Sequence, residues 1–172
     1  GAECDAVAPL LAELGATTIA GNYDVAIGRG DEDCGCGYAD ERDNHFAQLM
    51  YDYTKAHTSP AFAAWMRELP GELRVEIGGV DVHMVHGSPL AVNDFMWESL
   101  DDDELALRTR ASGARLLLCT HTGIPWQREV DSRSSAGSHG TSGTLIVNVG
   151  AIGRPANDGR TDVSYAVIDL AN

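Results

Sequence analysis

Hydrophobic positions in this chain fall into short blocks whose spacing changes from helical to extended and back. Val7, Leu10, Leu11 and Leu14 recur at helical spacing ahead of Gly15, which predicts a helix over 3–14. Thr17-Thr18-Ile19-Ala20 is short, apolar and rich in β-branched residues, so it reads as a strand completing an αβ unit. Gly28 to Gly37 is a loop by composition. Asp40 to His57 reads as an amphipathic helix with Phe46, Leu49, Met50 and Tyr53 on one stripe. Ser59-Pro60 opens a further helix, with Phe62, Trp65, Met66 and Leu69 as its buried face and Pro70-Gly71 as its end.

The second half turns towards extended structure. Leu73 to Ile77 alternates like a half-exposed strand, and Gly78-Gly79 turns it into Val80–Val85 as a β-hairpin. Ser99 is placed to cap a helix over Leu100–Ala111, Gly113 ends that helix, and Arg115 opens the next strand. Trp126 to Val130 is a strand, 131–143 a hairpin-like loop, and Thr144–Val149 and Val163–Asp169 are the closing strands. Strands and helices alternate early and strands dominate late. The expected architecture is an α/β fold, a sandwich of mixed sheets flanked by helices, in one domain over 1–172 without internal repeats.

Composition narrows the function classes. The 172 residues are 44% apolar and 22% charged, which suits a globular domain, and no run of 18 apolar residues offers a transmembrane helix. The opening Gly1-Ala2-Glu3-Cys4-Asp5 lacks the basic-then-apolar layout of a secretory signal, so a cytoplasmic location is expected. A net charge of −14, from 26 acidic against 12 basic residues, leaves no basic face for a nucleic-acid backbone. The four cysteines are too scattered for a disulfide framework and read as free thiols in a reducing compartment. Cys34-Gly35-Cys36 is the only close pair, and its acidic, glycine-rich setting reads as a loop rather than as a second metal or redox site. The acidic run Asp101 to Glu104 sits in the first turn of a helix, where the dipole favours negative charge, and reads as capping rather than metal binding.

Candidate chemistry comes from a recurrence. Three apolar stretches each run into a residue able to hold a metal: 17–20 into Gly21-Asn22-Tyr23-Asp24, 82–85 into His86-Gly87-Ser88-Pro89, and 116–119 into Thr120-His121-Thr122-Gly123. If these are strands of one parallel-type sheet, Asn22, His86 and His121 lie at carboxyl ends, where open α/β sheets bind ligands. Imidazole nitrogens with an amide oxygen suit Mn²⁺, Fe²⁺ or Zn²⁺, and Gly21, Gly87 and Gly123 allow close approach. His83 faces opposite to His86 by strand alternation and is assigned to the core, while His45, His57 and His139 lack partners at ligand spacing. The chain has no glycine-rich phosphate loop, and no Gly-x-Ser-x-Gly elbow surrounds Ser88.

The ordered set Gly21-Asn22-Tyr23-Asp24, Val85-His86-Gly87-Ser88-Pro89, Cys119-Thr120-His121-Thr122-Gly123-Ile124-Pro125 and Asn148-Val149-Gly150-Ala151-Ile152-Gly153-Arg154-Pro155 resembles the calcineurin-like metallophosphoesterases, in particular their small bacterial phosphodiesterase branch. The resemblance implies a two-metal hydrolase of phosphomonoesters or phosphodiesters, with Asn22, His86 and His121 binding the second metal. Mn²⁺ is the implied ion, with Fe²⁺, Ni²⁺ or Zn²⁺ as substitutes, and a small phosphorylated molecule is the implied substrate. Tyr23 falls where many members carry a histidine that donates to the phosphate or leaving group, and Asp24 falls on the acidic position that orients its neighbour. The family pattern opens with an Asp-x-His on its first strand and a Gly-Asp on its second, and the likeness places Gly1 past both. The expectation is an N-terminally incomplete domain, with first-metal ligands outside the sequence and an exposed sheet edge that invites a partner chain or a homo-oligomer. Gly123 stands where the family's Gly-His-Thr-His has its second histidine and cannot ligate. The competing expectation is a non-catalytic scaffold on the same fold, as in the small scaffold subunit of the retromer coat.

Overall fold

A computed structural model of the chain describes residues 4–131, 143–153 and 161–169. His139, Arg154, Pro155 and most of the expected 131–143 loop lie outside the described residues. The chain divides into two compact units, Gly1–Gly71 and Glu72–Asn172, each described here by itself.

The first unit is helical. A 3₁₀ turn (Cys4–Ala6) leads into α1 (Val7–Glu13), followed by α2 (Asn22–Arg29), α3 (Glu41–Ala56) and α4 (Pro60–Glu68). Capping explains the starts of the last two. The Asp40 carboxylate accepts from the backbone N–H groups of Arg42 and Asp43, and Ser59 accepts from Phe62 N at 3.2 Å with Pro60 preset in the first turn. α2 and α4 approach so closely at Gly28 that a Cβ there would sit 3.1 Å from Arg67 N, and Arg67 Nε donates to Gly28 O at 2.7 Å.

Two expectations fail in this unit. Residues 17–20 form no strand among the described residues, because β-propensity needs a partner ladder and the only tie recorded there is Ala20 N to Pro70 O at 2.8 Å. Asn22 is therefore the first residue of α2 and not the end of a strand. The apolar stripe of α3 does not enter the core: Phe46, Leu49, Met50 and Tyr53 are all exposed. The neighbouring face turns inward instead, burying Thr54 and packing Tyr51 in a cluster with Ala26, Ile27, Phe62 and Met66. Tyr51 satisfies its hydroxyl by donating to Asp31 O at 2.7 Å. Only Phe62 and Met66 of the expected α4 face are fully buried, with Trp65 and Leu69 half-buried.

The second unit is built on a five-stranded mixed sheet, in which α5 (Asp102–Ser112) lies between β2 and β3 in sequence. Strands β1 (Glu72–Ile77), β2 (Val80–Val85), β3 (Leu116–Cys119), β4 (Trp126–Val130) and β5 (Thr144–Asn148) take the spatial order β1-β2-β3-β5-β4. β1 and β2 form the expected hairpin, with Gly78 and Gly79 at φ of +56° and +79° supplying the two left-handed positions of its tight turn. β2, β3 and β5 are parallel, while β4 runs antiparallel to β5. Val82, Leu117 and Ile146 are fully buried, and Leu117 and Ile146 join Val85, Met96, Leu105 and Trp126 in one core cluster. His83 fills the core role expected of it, with Nδ1 2.8 Å from Ser112 Oγ and Nε2 3.1 Å from Glu72 Oε2.

Two boundaries move. The cap of α5 is Asp101 rather than Ser99: its carboxylate accepts from Glu104 N at 2.8 Å, and Glu104 reaches back to Asp101 N. The acidic run is thus capping material, and Asp102 also accepts from Arg128 at 2.8 Å. Residues 163–169 form no strand. Val163, Tyr165 and Val167 are exposed, and the recorded backbone tie of this segment runs from Ser164 N to Ala151 O. No helix among the described residues is long and apolar enough to cross a membrane. The corrected cap is testable by urea denaturation: Asp101→Ala should lower stability by about 1 kcal/mol, while Ser99→Ala should leave it unchanged.

Candidate metal centre

Parallel pairing of β2 and β3 fixes the heart of the site. The register that sets Met84 opposite Leu118 carries both strands out of the sheet level with each other, and Thr120 N donates to His86 O at 2.9 Å just past their ends. His86 and His121 therefore emerge side by side, with His86 Nε2 3.1 Å from His121 Nδ1 and ring centroids 5.0 Å apart. Burial, reinforced by the charge of His121, pushes His86 down to about 4, so its ring is a neutral donor at physiological pH.

The turn carrying His121 is unusual. His121 has φ of +58°, and Thr122 N donates to Thr120 O at 2.7 Å, closing a tight three-residue turn around it. A histidine held left-handed needs outside support. Asn148, at the end of β5 and only 1% exposed, supplies it. Its Nδ2 donates to Thr120 O and to Thr122 Oγ1, both at 2.9 Å, while its Oδ1 accepts from Gly150 N at 3.1 Å. Thr120 Oγ1 donates to Gly150 O at 2.5 Å and closes the clamp.

A second support comes from the segment after β2. Gly87 admits no side chain, because a Cβ there would lie 2.6 Å from the carbonyl oxygens of both Ala91 and Val92. The chain folds back through Ser88 N to Ala91 O at 3.0 Å and delivers Asp94 to Arg108, whose Nε donates to it at 2.8 Å. Burial opposes the charge on Asp94, but hydrogen bonds from Arg108 and Ser88 outweigh it and hold the carboxyl below its usual value. Phe95, next in sequence, lies against the His121 ring with centroids 4.4 Å apart. Sequence reasoning passed over Asp94, Arg108 and Asn148. The available signal for Asn148 was a polar residue closing a strongly apolar strand inside a motif already singled out.

The other candidates lie in the first unit. Asn22 is buried, and its Nδ2 donates at 3.3 Å both to Cys34 O and to Cys36 Sγ. Tyr23 donates its hydroxyl to Ala47 O at 3.0 Å and meets Tyr51 edge-on. Asp24 accepts from Gly21 N at 2.8 Å within the capping box of α2, and burial raises its carboxyl above the ordinary value. Cys34 and Cys36 form a disulfide, so the expectation that all cysteines are free thiols fails. Cys4 and Cys119 are thiols outside any disulfide, with burial pushing Cys119 up to about 12.

The residues present were compared with what a divalent cation requires. Two nitrogens each about 2.0–2.1 Å from one ion lie about 2.9–3.4 Å apart for angles between octahedral and tetrahedral values. The 3.1 Å between His86 and His121 falls inside that span. No three His, Cys, Asp or Glu side chains form a metal-binding group among the described residues.

The chain belongs to the calcineurin-like phosphoesterase superfamily, whose domain profile matches residues 2–172. Among solved structures it is similar to a hypothetical protein from Pyrococcus horikoshii OT3, at 19% identity and a TM-score of 0.61, over 84% of this chain and 55% of that one. It is also similar to a metallophosphoesterase from Sphaerobacter thermophilus, at 25% identity and a TM-score of 0.52, over 81% of this chain and 56% of that one. The chain thus spans just over half the length of each. Among curated proteins none matches. The expected α/β architecture with a mixed sheet agrees with this family.

If Asn148 holds the His121 turn, Asn148→Ala should cost about 1–3 kcal/mol in urea denaturation by stripping buried hydrogen bonds. The histidine ring signals should broaden or shift in the same variant; unchanged stability and unchanged ring signals would refute the clamp.

Proposed function

We propose that this chain carries part of the active centre of a metal-dependent phosphoesterase, with Asn22, His86 and His121 as ligands of one divalent ion, Mn²⁺ for preference. The observation that carries the reading is the pair of imidazoles facing each other at 3.1 Å beyond adjacent parallel strands. Asn22 enters through its place in the family motif. A bound divalent ion would supply Lewis acidity towards a phosphoryl oxygen and a lowered pKa for the attacking water. The chain's own contribution is positional. Asn148 and Phe95 hold His121, and the Thr120–His86 backbone bond fixes His86 relative to it. Asp24 orients the Gly21-Asn22 turn by accepting from Gly21 N. The substrate would be a small phosphorylated molecule whose negative charge the ion must offset, since the protein carries −14.

A second reading, a non-catalytic scaffold, draws on Tyr23 and Asp24. The Tyr23 hydroxyl donates to Ala47 O, and the Asp24 carboxylate is engaged in a helix cap, so neither is poised as a proton donor. One assay separates the readings. With Mn²⁺ added, the phosphoesterase should hydrolyse bis-p-nitrophenyl phosphate, and His86→Ala or His121→Ala should cut the rate at least 100-fold without loss of fold by circular dichroism. A folded protein with no hydrolysis and no metal uptake would leave the scaffold.

A further inference from the structure

We propose that a cavity beside the His121 turn binds a nucleobase, which makes the phosphorylated substrate a nucleotide or a nucleotide ester. The cavity has a volume of about 390 Å³ and is lined by Trp97, Glu98, Ser99, Ile124 and Trp126, all in the second unit. That volume is of the size that takes a small organic molecule. The inference deepens the phosphoesterase reading and rests on it for the phosphoryl end of the ligand. Two links join the cavity to the histidine pair. Ile124 N donates at 3.3 Å to Thr122 Oγ1, the same hydroxyl that accepts from Asn148 in the clamp around His121. From the other side, the Phe95 ring lies 4.4 Å from the His121 ring and 5.1 Å from the Trp97 ring, centre to centre. The histidine end and the cavity thus share the residues that hold them, so a ligand spanning both meets one continuous support.

The chemistry of the walls selects the occupant. Trp126 is 8% exposed and its indole N–H already donates to Met96 O at 3.1 Å, so it offers ring surface and no hydrogen bond. Trp97 is stacked on Phe95 within 5° of parallel, which leaves its opposite face and rim, at 37% exposure, to the cavity. The backbone around it is fixed from β4, because Arg128 donates to Glu98 O at 2.8 Å and to Leu100 O at 2.9 Å. Indoles held in place before binding favour a flat aromatic ring, since stacking then requires little ordering of the walls. The polar lining narrows the choice. The hydrogen bond from Arg128 uses the backbone carbonyl of Glu98, and the Glu98 side chain brings a carboxylate to the cavity. An ionised carboxylate only accepts, so the ring edge it meets must carry N–H donors, and an anionic group there would be repelled. Guanine fits best, because its ring N–H and its amino group stand side by side and match two carboxylate oxygens. Uracil flanks its single N–H with carbonyl oxygens and fits worse. A lipid tail would leave the carboxylate without a counterpart, and a bare sugar would leave the indoles without one.

The test follows the tryptophan indole N–H signals of the full ¹⁵N-labelled chain with no metal added, so the binding result is independent of catalysis. Guanosine at millimolar concentration should shift the Trp97 and Trp126 signals, uridine should bind more weakly, and ribose should leave both signals in place. Trp97→Ala should raise the guanosine dissociation constant about 10-fold or more, as expected for the loss of one base-stacking partner. Glu98→Gln, a change at an exposed side chain, should narrow the preference for guanosine over uridine and keeps the test open if Trp97→Ala does not fold. With Mn²⁺ present, guanosine 5′-(p-nitrophenyl phosphate) should show a KM about 10-fold or more below that of methyl p-nitrophenyl phosphate. Indole signals unmoved by guanosine, equal shifts with ribose, wild-type affinity in a folded Trp97→Ala variant, or equal KM values for the two esters would overturn the proposal. Guanosine binding at Trp97 in a protein that hydrolyses neither ester nor bis-p-nitrophenyl phosphate would uphold the base site and sink the phosphoesterase reading instead.

Discussion

The parallel pairing of β2, β3 and β5 is the constraint on which the site depends. Parallel strands deliver their carboxyl ends to the same edge of a sheet, and register decides which residues arrive together. Here the register sets Cys119 opposite Asn148 and carries His86 level with Thr120. A slip of one residue would turn every side chain to the other face, removing Leu117 and Ile146 from the core along with the alignment of the histidines. The core therefore enforces the geometry of the site. No separate device is needed to bring the two imidazoles together, only devices to hold their rings.

Those holding devices divide the labour unevenly. His86 sits where the sheet leaves it, fixed by strand and backbone. His121 stands in a conformation that a histidine seldom adopts, and it is supported from two sides, by Asn148 and by a Phe95 delivered through the Arg108–Asp94 ion pair. Asn22 is held differently again, by hydrogen bonds from its amide to Cys34 O and Cys36 Sγ in a loop closed by a disulfide. Three candidate ligands thus rest on three kinds of restraint: register, a hydrogen-bonded clamp, and hydrogen bonds to a disulfide-closed loop.

The elements legible in the sequence were those with a local cause. Gly78-Gly79 dictates its turn, Asp40 and Ser59-Pro60 their helix starts, and the run 116–119 is too apolar to lie anywhere but inside. The misreadings arose where two local causes competed or a partner was needed. Ser99 and Asp101 are both good caps, and the one with a glutamate three residues on won. Residues 17–20 and 163–169 have strand-like patterns, but a strand exists only when something pairs with it. The stripe of α3 shows that amphipathicity announces an apolar face without saying whether it is covered. At the site, the two histidines were legible because each follows closely on an apolar strand. Their supports were not, since Asn148 lies 26 positions from Thr122 in sequence.

The left-handed backbone at His121 has a consequence for how such a centre can drift over generations. Besides glycine, the residues that tolerate that conformation with least strain are asparagine and aspartate, whose short polar side chains bond locally. Replacements at this position are thereby funnelled by the backbone towards oxygen donors before any selection on chemistry acts. Each such step would make the centre harder in the Lewis sense and turn its preference from zinc or iron towards manganese or magnesium. On the proposed reading of His121 as a ligand, the turn would bias which metals the lineage can explore, and would do so through a single torsion angle.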